Sequence, residues 1–359
     1  MENPSMVIKY WGVRGSIPAP LTLEQVREKE VALIERLIKD GATNAIFRAA
    51  PPNKDDILKY LSTFPLSVSG TYGGDTTCIE VQAKDSPLIV IDAGTGVRAL
   101  GKALTGRLFS GANLNPLSSD EESKRDIHMF FTHYHWDHLQ GFPFFVPAFI
   151  PGNNSVNMHF YGKMNAKKLL SDVLAGQQQF PNFPVAWEDM PCKKEYHELG
   201  RLAPIPMQLQ NALVTYQELT HPDSMFAYAI EADGRKFVCA TDTEHKDVPD
   251  PRLVKLAKSA DVLYYDSQYS PEEYVGDPKS LTGAMNKFDW CHSTYEWAIR
   301  NALAADVKTV VLGHHEPLRD DFKMEELYER ALLFRDQERS RTGKHVEVVM
   351  AYQGLEQRL

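Results

Sequence analysis

The sequence predicts an α/β fold in which sheets are covered by helices. Three observations carry that prediction: short apolar runs alternate with helical patterns, several of those runs end on a polar or metal-binding residue, and the composition is that of an ordinary globular chain. With 359 residues, 43% hydrophobic and 24% charged, the chain can build a substantial core. Its formal net charge of −9 gives no overall electrostatic reason to bind nucleic acid through phosphates, although a local basic patch is compatible with it. Cys78, Cys192, Cys239 and Cys291 form no CxxC pair, which fits a reducing cytosol and a cytoplasmic location. The start "MENPSMVIKYWGVRG" has no apolar leader, and no window approaches ~18 uninterrupted apolar residues, so neither secretion nor a membrane partner is signalled.

In chain order, the strand-like runs are "SMVIKYWGV", "TTCIEVQA", "PLIVIDAG", "IHMFFTHY", "NALVTYQELT", "MFAYAIEA", "RKFVCATDT", "ADVLYYDSQ", "KTVVLGHHE" and "HVEVVMAYQ". Helical patterns lie near 21–40, 164–175, 251–259, 293–304 and 323–340, and no internal repeat is visible. Four runs lead into chemistry: Asp92, His133, Asp242 and His314 each stand at or near a run's end. One site assembled along an edge of the sheets is the expectation.

The stretch "FFTHYHWDHLQG", residues 130–141, crowds His133, His135, Asp137 and His138 into six positions. Neutral imidazoles offer borderline nitrogen donors and a carboxylate offers a hard oxygen, a set that suits zinc and also manganese or iron. A tight loop after a strand can turn alternate residues to different sides, so these ligands need not serve one ion.

His133-x-His135-x-Asp137-His138 resembles the signature of the metallo-β-lactamase superfamily, whose αββα sandwich holds one or two metal ions at the edge of its paired sheets. That resemblance asks for His, Asp and His downstream, and His221, Asp242 and His314 stand in that order. It implies two divalent cations, zinc foremost with Mn2+ or Fe2+ as alternatives: His133, His135 and His221 on one, Asp137, His138 and His314 on the other, Asp242 between them. His315 rivals His314, and Pro317, three residues beyond His314, favours His314. Asp92 resembles the family's buried aspartate that orients ligands, with a strand-end cap as the plain alternative.

"WGVRGSIPAP" with "YGGDTTCIEV" resembles the phosphodiesterase branch of that superfamily, which includes ribonuclease Z, the cyclic phosphate hydrolase of phosphonate breakdown and bacterial cyclic-nucleotide phosphodiesterases. Asp242 stands where β-lactam hydrolases generally carry cysteine. The implied activity is hydrolysis of a small phosphodiester, foremost a 3′,5′-cyclic nucleotide, with Asp137, Asp242 and His292 as catalytic residues and His292 of "DWCHSTYEW" as general acid. Ser293 and Glu296 also read as a capping box, and Asp266 of "YYDSQY" is expected to orient His292 or a metal ligand. The rivals are an RNA-processing endonuclease of ribonuclease Z type and a metal- or nucleotide-binding sensor without turnover.

Residues 1–359 are expected to form one such domain carrying a helical insertion, 21–69. The insertion balances seven Lys/Arg against seven Asp/Glu, so it is no RNA clamp. Thr22 and Gln25 make a capping box, Gly41 a stop, and Leu23, Val26, Leu33, Ile34, Leu37 and Ile38 an apolar side. That side is expected to bury against its own domain, a homodimer partner or the active site. Phe180, Phe183 and Trp187 of "GQQQFPNFPVAWEDMP" read equally as base-stacking groups or a hydrophobic plug. Arg14, Ser16, Thr76 and Thr77 read as phosphate contacts or turn closures.

Overall fold

The computed structural model describes residues 4–39, 41, 53–164, 168–200, 206–222 and 225–359. Its strands are β1 (Met6–Gly12), β2 (Cys78–Ala83), β3 (Leu88–Ile91), β4 (Asp126–Phe130), β5 (Asn157–Lys163), β6 (Lys193–Leu199), β7 (Met207–Leu209), β8 (Ala212–Leu219), β9 (Met225–Ala232), β10 (Arg235–Ala240), β11 (Val262–Asp266), β12 (Thr309–Gly313), β13 (Glu347–Met350) and β14 (Glu356–Arg358). They form two seven-stranded sheets, ordered β14-β1-β2-β3-β4-β5-β6 and β13-β12-β11-β10-β9-β8-β7. Each sheet is parallel over four neighbouring strands, β3 to β6 in one and β10 to β13 in the other. Parallel neighbours end on the same rim, so the residues that follow β3 and β4, and those that follow β10 and β12, gather at shared edges.

Period-two alternation explains the layering. Ile89 and Ile91 of β3 point between the sheets with Tyr10, Val81, Phe130, Tyr228, Phe237 and Tyr264. Leu88 and Val90 point outward, where they meet Leu100, Leu104 and Leu108 of the helix Val97–Ser110. On the other sheet Val238, Leu263, Val310 and Leu312 face the helices Pro251–Leu256, Tyr295–Ala304 and Asp321–Thr342. The result is the expected order of helix, sheet, sheet, helix.

All ten expected strands form, and β5, β6, β7 and β14 join them. "KKEYHEL" carries charge on nearly every other residue because β6 is an edge strand, which hides its period from a hydrophobic pattern. The helix expected at 164–175 is Leu170–Ala175, with 165–167 outside the described residues.

The helix of the N-terminal insertion runs Leu23–Lys39, and Thr22 and Gln25 exchange both bonds of their capping box. Burial of its apolar side against its own domain is only partial: Leu33 and Leu37 are half-buried, while Leu23, Val26, Ile34 and Ile38 are exposed on the single chain. The residue this helix buries is Lys29, drawn inward by an ion pair with Asp321. Residues 40 and 42–52 of the segment lie outside the described residues. The Ser293 and Glu296 box does not form either. Thr294 is the N-cap without a side-chain bond, while Ser293 Oγ is committed to His245 Nδ1 at 3.0 Å. Among the described residues no helix is long and apolar enough to cross a membrane.

Candidate metal centre

Three strand ends turn chemistry into one cleft by the same backbone device. Asp92 follows β3, Asp242 follows β10 and His314 follows β12, and they take φ of 59°, 46° and 57°. A non-glycine residue in that left-handed region costs on the order of 1–3 kcal/mol, a strain that collects at functional sites. Here it swings each side chain off the strand axis toward the rim. Close packing holds the last of them: a Cβ on Gly15 would sit 2.5 Å from the His314 ring, and one on Gly313 about 2.1 Å from the Tyr264 ring.

The structure brings the expected ligands together in two groups. His133, His135 and His221 have ligand atoms within 4.8 Å of one another, and so do Asp137, His138, Asp242 and His314. Asp242 faces both. Its Oδ2 lies 3.6 Å from His133 Nε2, while Oδ1 lies 3.2 Å from His138 Nε2 and 3.1 Å from His314 Nε2. Asp137 Oδ2 lies 3.2 Å from His138 Nε2 and 3.1 Å from His314 Nε2, and accepts the Ser16 N–H at 2.8 Å. All are buried except His135, which is exposed at the mouth.

Behind this shell a second set of bonds fixes the imidazoles. Asp92 Oδ2 takes the His138 Nδ1 at 2.7 Å, and both Asp92 oxygens are bonded to Thr132 at 2.8 Å. Thr132 Oγ1, having given its proton to Asp92, accepts from His133 Nδ1 at 3.1 Å. Gln268 Oε1 accepts from His314 Nδ1 at 3.1 Å. In each case the outward nitrogen is spent and Nε2 is left to face the cleft, the arrangement that readies histidine for a metal. His133 Nε2, His138 Nε2 and both ring nitrogens of His221 are buried without a hydrogen-bond partner among the described residues. Buried polar atoms seldom go unpaired, so this donor set fits a pair of cations. Asp92 thus fixes the His138 ring, and Thr132 and Gln268 fix those of His133 and His314, unannounced by any motif.

Electrostatics separates the two groups. Burial holds His133 well below the usual imidazole range and lowers His221 to about 4, so both are neutral donors. Burial opposes charge on His138 and His314 too, but the carboxylates of Asp242 and Asp137 outweigh it, raising His138 strongly and His314 to about 9. The second group therefore attracts positive charge, which a proton or a metal cation can supply. Replacing Asp92 by Asn keeps the shape but removes the charge that orients His138. Asp92→Asn is expected to weaken divalent-cation binding about 10–100-fold, measured by competition with a chelator, with the folded state retained.

His292 stands beside this centre, its ring stacked on His314 at 4.9 Å between centroids. Asp266 Oδ2 lies 2.7 Å from His292 Nδ1, so it orients His292, while the same oxygen stands 3.8 Å from His314 Nδ1, whose hydrogen bond goes to Gln268. His315 stands outside both donor groups, with its Nε2 on the Ala351 carbonyl at 2.8 Å. Arg14 is buried with its guanidinium on the carbonyls of Gly73, Glu316 and Arg319, so it closes turns. Thr76 does the same with Thr95, and Thr77 Oγ1 is buried without a partner among the described residues. Trp187 is core, packed on Phe142 and Phe160 with its Nε1 on Tyr196, which removes it as a stacking group. Phe183 meets Phe144 edge-on, and Phe180 is 91% exposed. Trp136, between His135 and Asp137, is 81% exposed, an aromatic at the mouth that the histidine motif overshadows.

A family model described as a Beta-lactamase superfamily domain matches residues 88–315, a span holding all seven expected ligands. Ribonuclease Z of Prochlorococcus marinus (strain MIT 9312) is 21% identical over 245 residues, covering 56% of this chain and 74% of that one. Among solved structures, unliganded yeast PDE1 superposes with a TM-score of 0.55 at 13% identity, covering 99% of this chain and 100% of its own. A diphosphatase from the PhnP family gives 0.54 at 14%, covering 99% and 98%. At such identities the superpositions speak for the fold, and the family model speaks for descent. The chain belongs to the metallo-β-lactamase superfamily.

Proposed function

We infer that this protein is a two-metal phosphodiesterase acting on a small phosphodiester, with a 3′,5′-cyclic nucleotide as the foremost substrate and a nucleoside monophosphate as product. The observation that carries the reading is Asp242, whose two oxygens face two separate groups of donors. His133, His135 and His221 would hold one ion, Asp137, His138 and His314 the other, and Asp242 would share both. A cation pair held there supplies a water acidified toward neutrality and a positive field for the phosphoryl oxygens. The chain's own contribution is placement and proton transfer. His292, oriented through Nδ1 by Asp266, gives the proton on Nε2 to the oxygen that leaves phosphorus. The N/O donor set suits zinc first, with Mn2+ or Fe2+ as alternatives.

The balanced charge of 21–69 and the net charge of −9 favour a small substrate over RNA. RNA-end processing is the second reading, favoured by the ribonuclease Z match. Metal-loaded protein offered 3′,5′-cyclic AMP and a structured RNA with a 3′ extension separates the two. Nucleoside monophosphate without RNA cleavage is expected, and RNA cleavage alone would reverse the assignment.

A further inference from the structure

A second set of metal-ligating side chains lies on the sheet face well below the catalytic rim. Asp126 and His128 on β4, His159 on β5, and Glu195 and His197 on β6 share one face of three parallel strands, with His128, His159 and Glu195 in one register row. His128 precedes His133 by five residues. At about 3.3 Å per residue the two levels stand on the order of 15 Å apart, too far for a shared ion. Two triads within this set have ligand atoms within 4.8 Å: Asp126, His128 and His159, and His159, Glu195 and His197.

The observations favour the second triad. His128 is nearly buried with Nδ1 taken by the Tyr161 hydroxyl at 2.9 Å, and Asp126 Oδ2 stands 4.0 Å from His159 Nε2. Glu195 Oε2 is closer, 3.3 Å from His159 Nδ1, and its other oxygen carries Lys193 at 2.6 Å. His197 Nε2 is a buried nitrogen without a partner among the described residues. Burial also lowers the His197 pKa, which keeps that ring a neutral donor. Glu195 and His197 are alternate residues of an edge strand, so they project together at a place solvent can reach. Lys193 is mostly exposed, and its ion pair yields at little cost.

We propose that His159, Glu195 and His197 form a third, noncatalytic site for a transition-metal cation of the zinc class, a staple that ties the edge strand β6 to β5. Two imidazoles and one carboxylate are a donor set zinc accepts. Tetrahedral coordination at about 2.0–2.1 Å sets donors roughly 3.3–3.4 Å apart, the spacing Glu195 Oε2 and His159 Nδ1 already have, and side-chain rotation at this half-exposed edge can bring in His197, whose ligand atom lies within 4.8 Å of theirs.

The test counts zinc on the purified full chain after dialysis against buffered free zinc. The parent is expected to hold three ions, His159→Gln and His197→Gln two, and Asp126→Asn three. A parent holding two, or three ions that survive both His substitutions, overturns the site. A measurement on the parent alone removes dependence on variant folding: modification of His159 and His197 by diethyl pyrocarbonate, read by mass spectrometry as zinc is raised past two equivalents. Protection of both histidines is expected, and unchanged modification overturns the proposal.

Discussion

Asp242→Asn is expected to lower kcat/KM for phosphodiester hydrolysis on the order of 1,000-fold, about 4 kcal/mol of transition-state stabilisation. Asparagine fills the same space, so the loss comes from charge and donor count. One carboxylate oxygen becomes an NH2 group with no lone pair to give a cation, and the remaining oxygen can face one of the two groups only. His138 and His314 then face one carboxylate fewer, so the second group attracts positive charge less. Kinetics on cyclic AMP together with metal counting check both consequences. Near-parent activity would remove Asp242 from the centre of the mechanism.

His292→Ala is expected to slow hydrolysis of an alkoxide-leaving substrate about 100- to 1,000-fold, the range of a general acid, while metal content stays at the parent level. A p-nitrophenyl ester supplies the contrast, because its phenolate leaves without a proton. The same substitution should cost that substrate far less. Equal losses on both substrates would assign His292 to packing against His314, where the stacked ring already gives it a structural role. Asp266→Asn should follow the same pattern more weakly, since Asp266 touches only Nδ1.

The His/Asp cluster was legible because its signal is local: four residues in six positions, then three possible donors near strand ends in the order the family resemblance asks for. The strands behind them were legible for a similar reason, as "LIVID" and "VVLGH" have no polar residue until the rim. What was hidden depends on three dimensions. The positive φ at Asp92, Asp242 and His314 depends on the folded rim, and at His314 the packing around Gly15, Gly313 and Tyr264 holds it. Thr132 and Gln268 look like ordinary neighbours until their bonds to His133 and His314 are drawn. The helix Leu23–Lys39 shows the opposite failure. Its apolar periodicity is real, yet the residue it buries is Lys29, pulled down by Asp321. β5 and β6 escaped notice because their shared face carries His159, Glu195 and His197 in place of an apolar row.

The measurement that tests the central claim most directly is reconstitution with Mn2+, following cyclic AMP hydrolysis and the electron paramagnetic resonance spectrum of the same samples. Exchange coupling reports two ions sharing a carboxylate and is blind to an isolated ion at the sheet edge. Activity that rises with the coupled signal, and falls with it in Asp242→Asn, is the predicted result. A fully coupled pair that hydrolyses neither cyclic nucleotide nor any other phosphodiester, or full activity from uncoupled ions, would contradict the account.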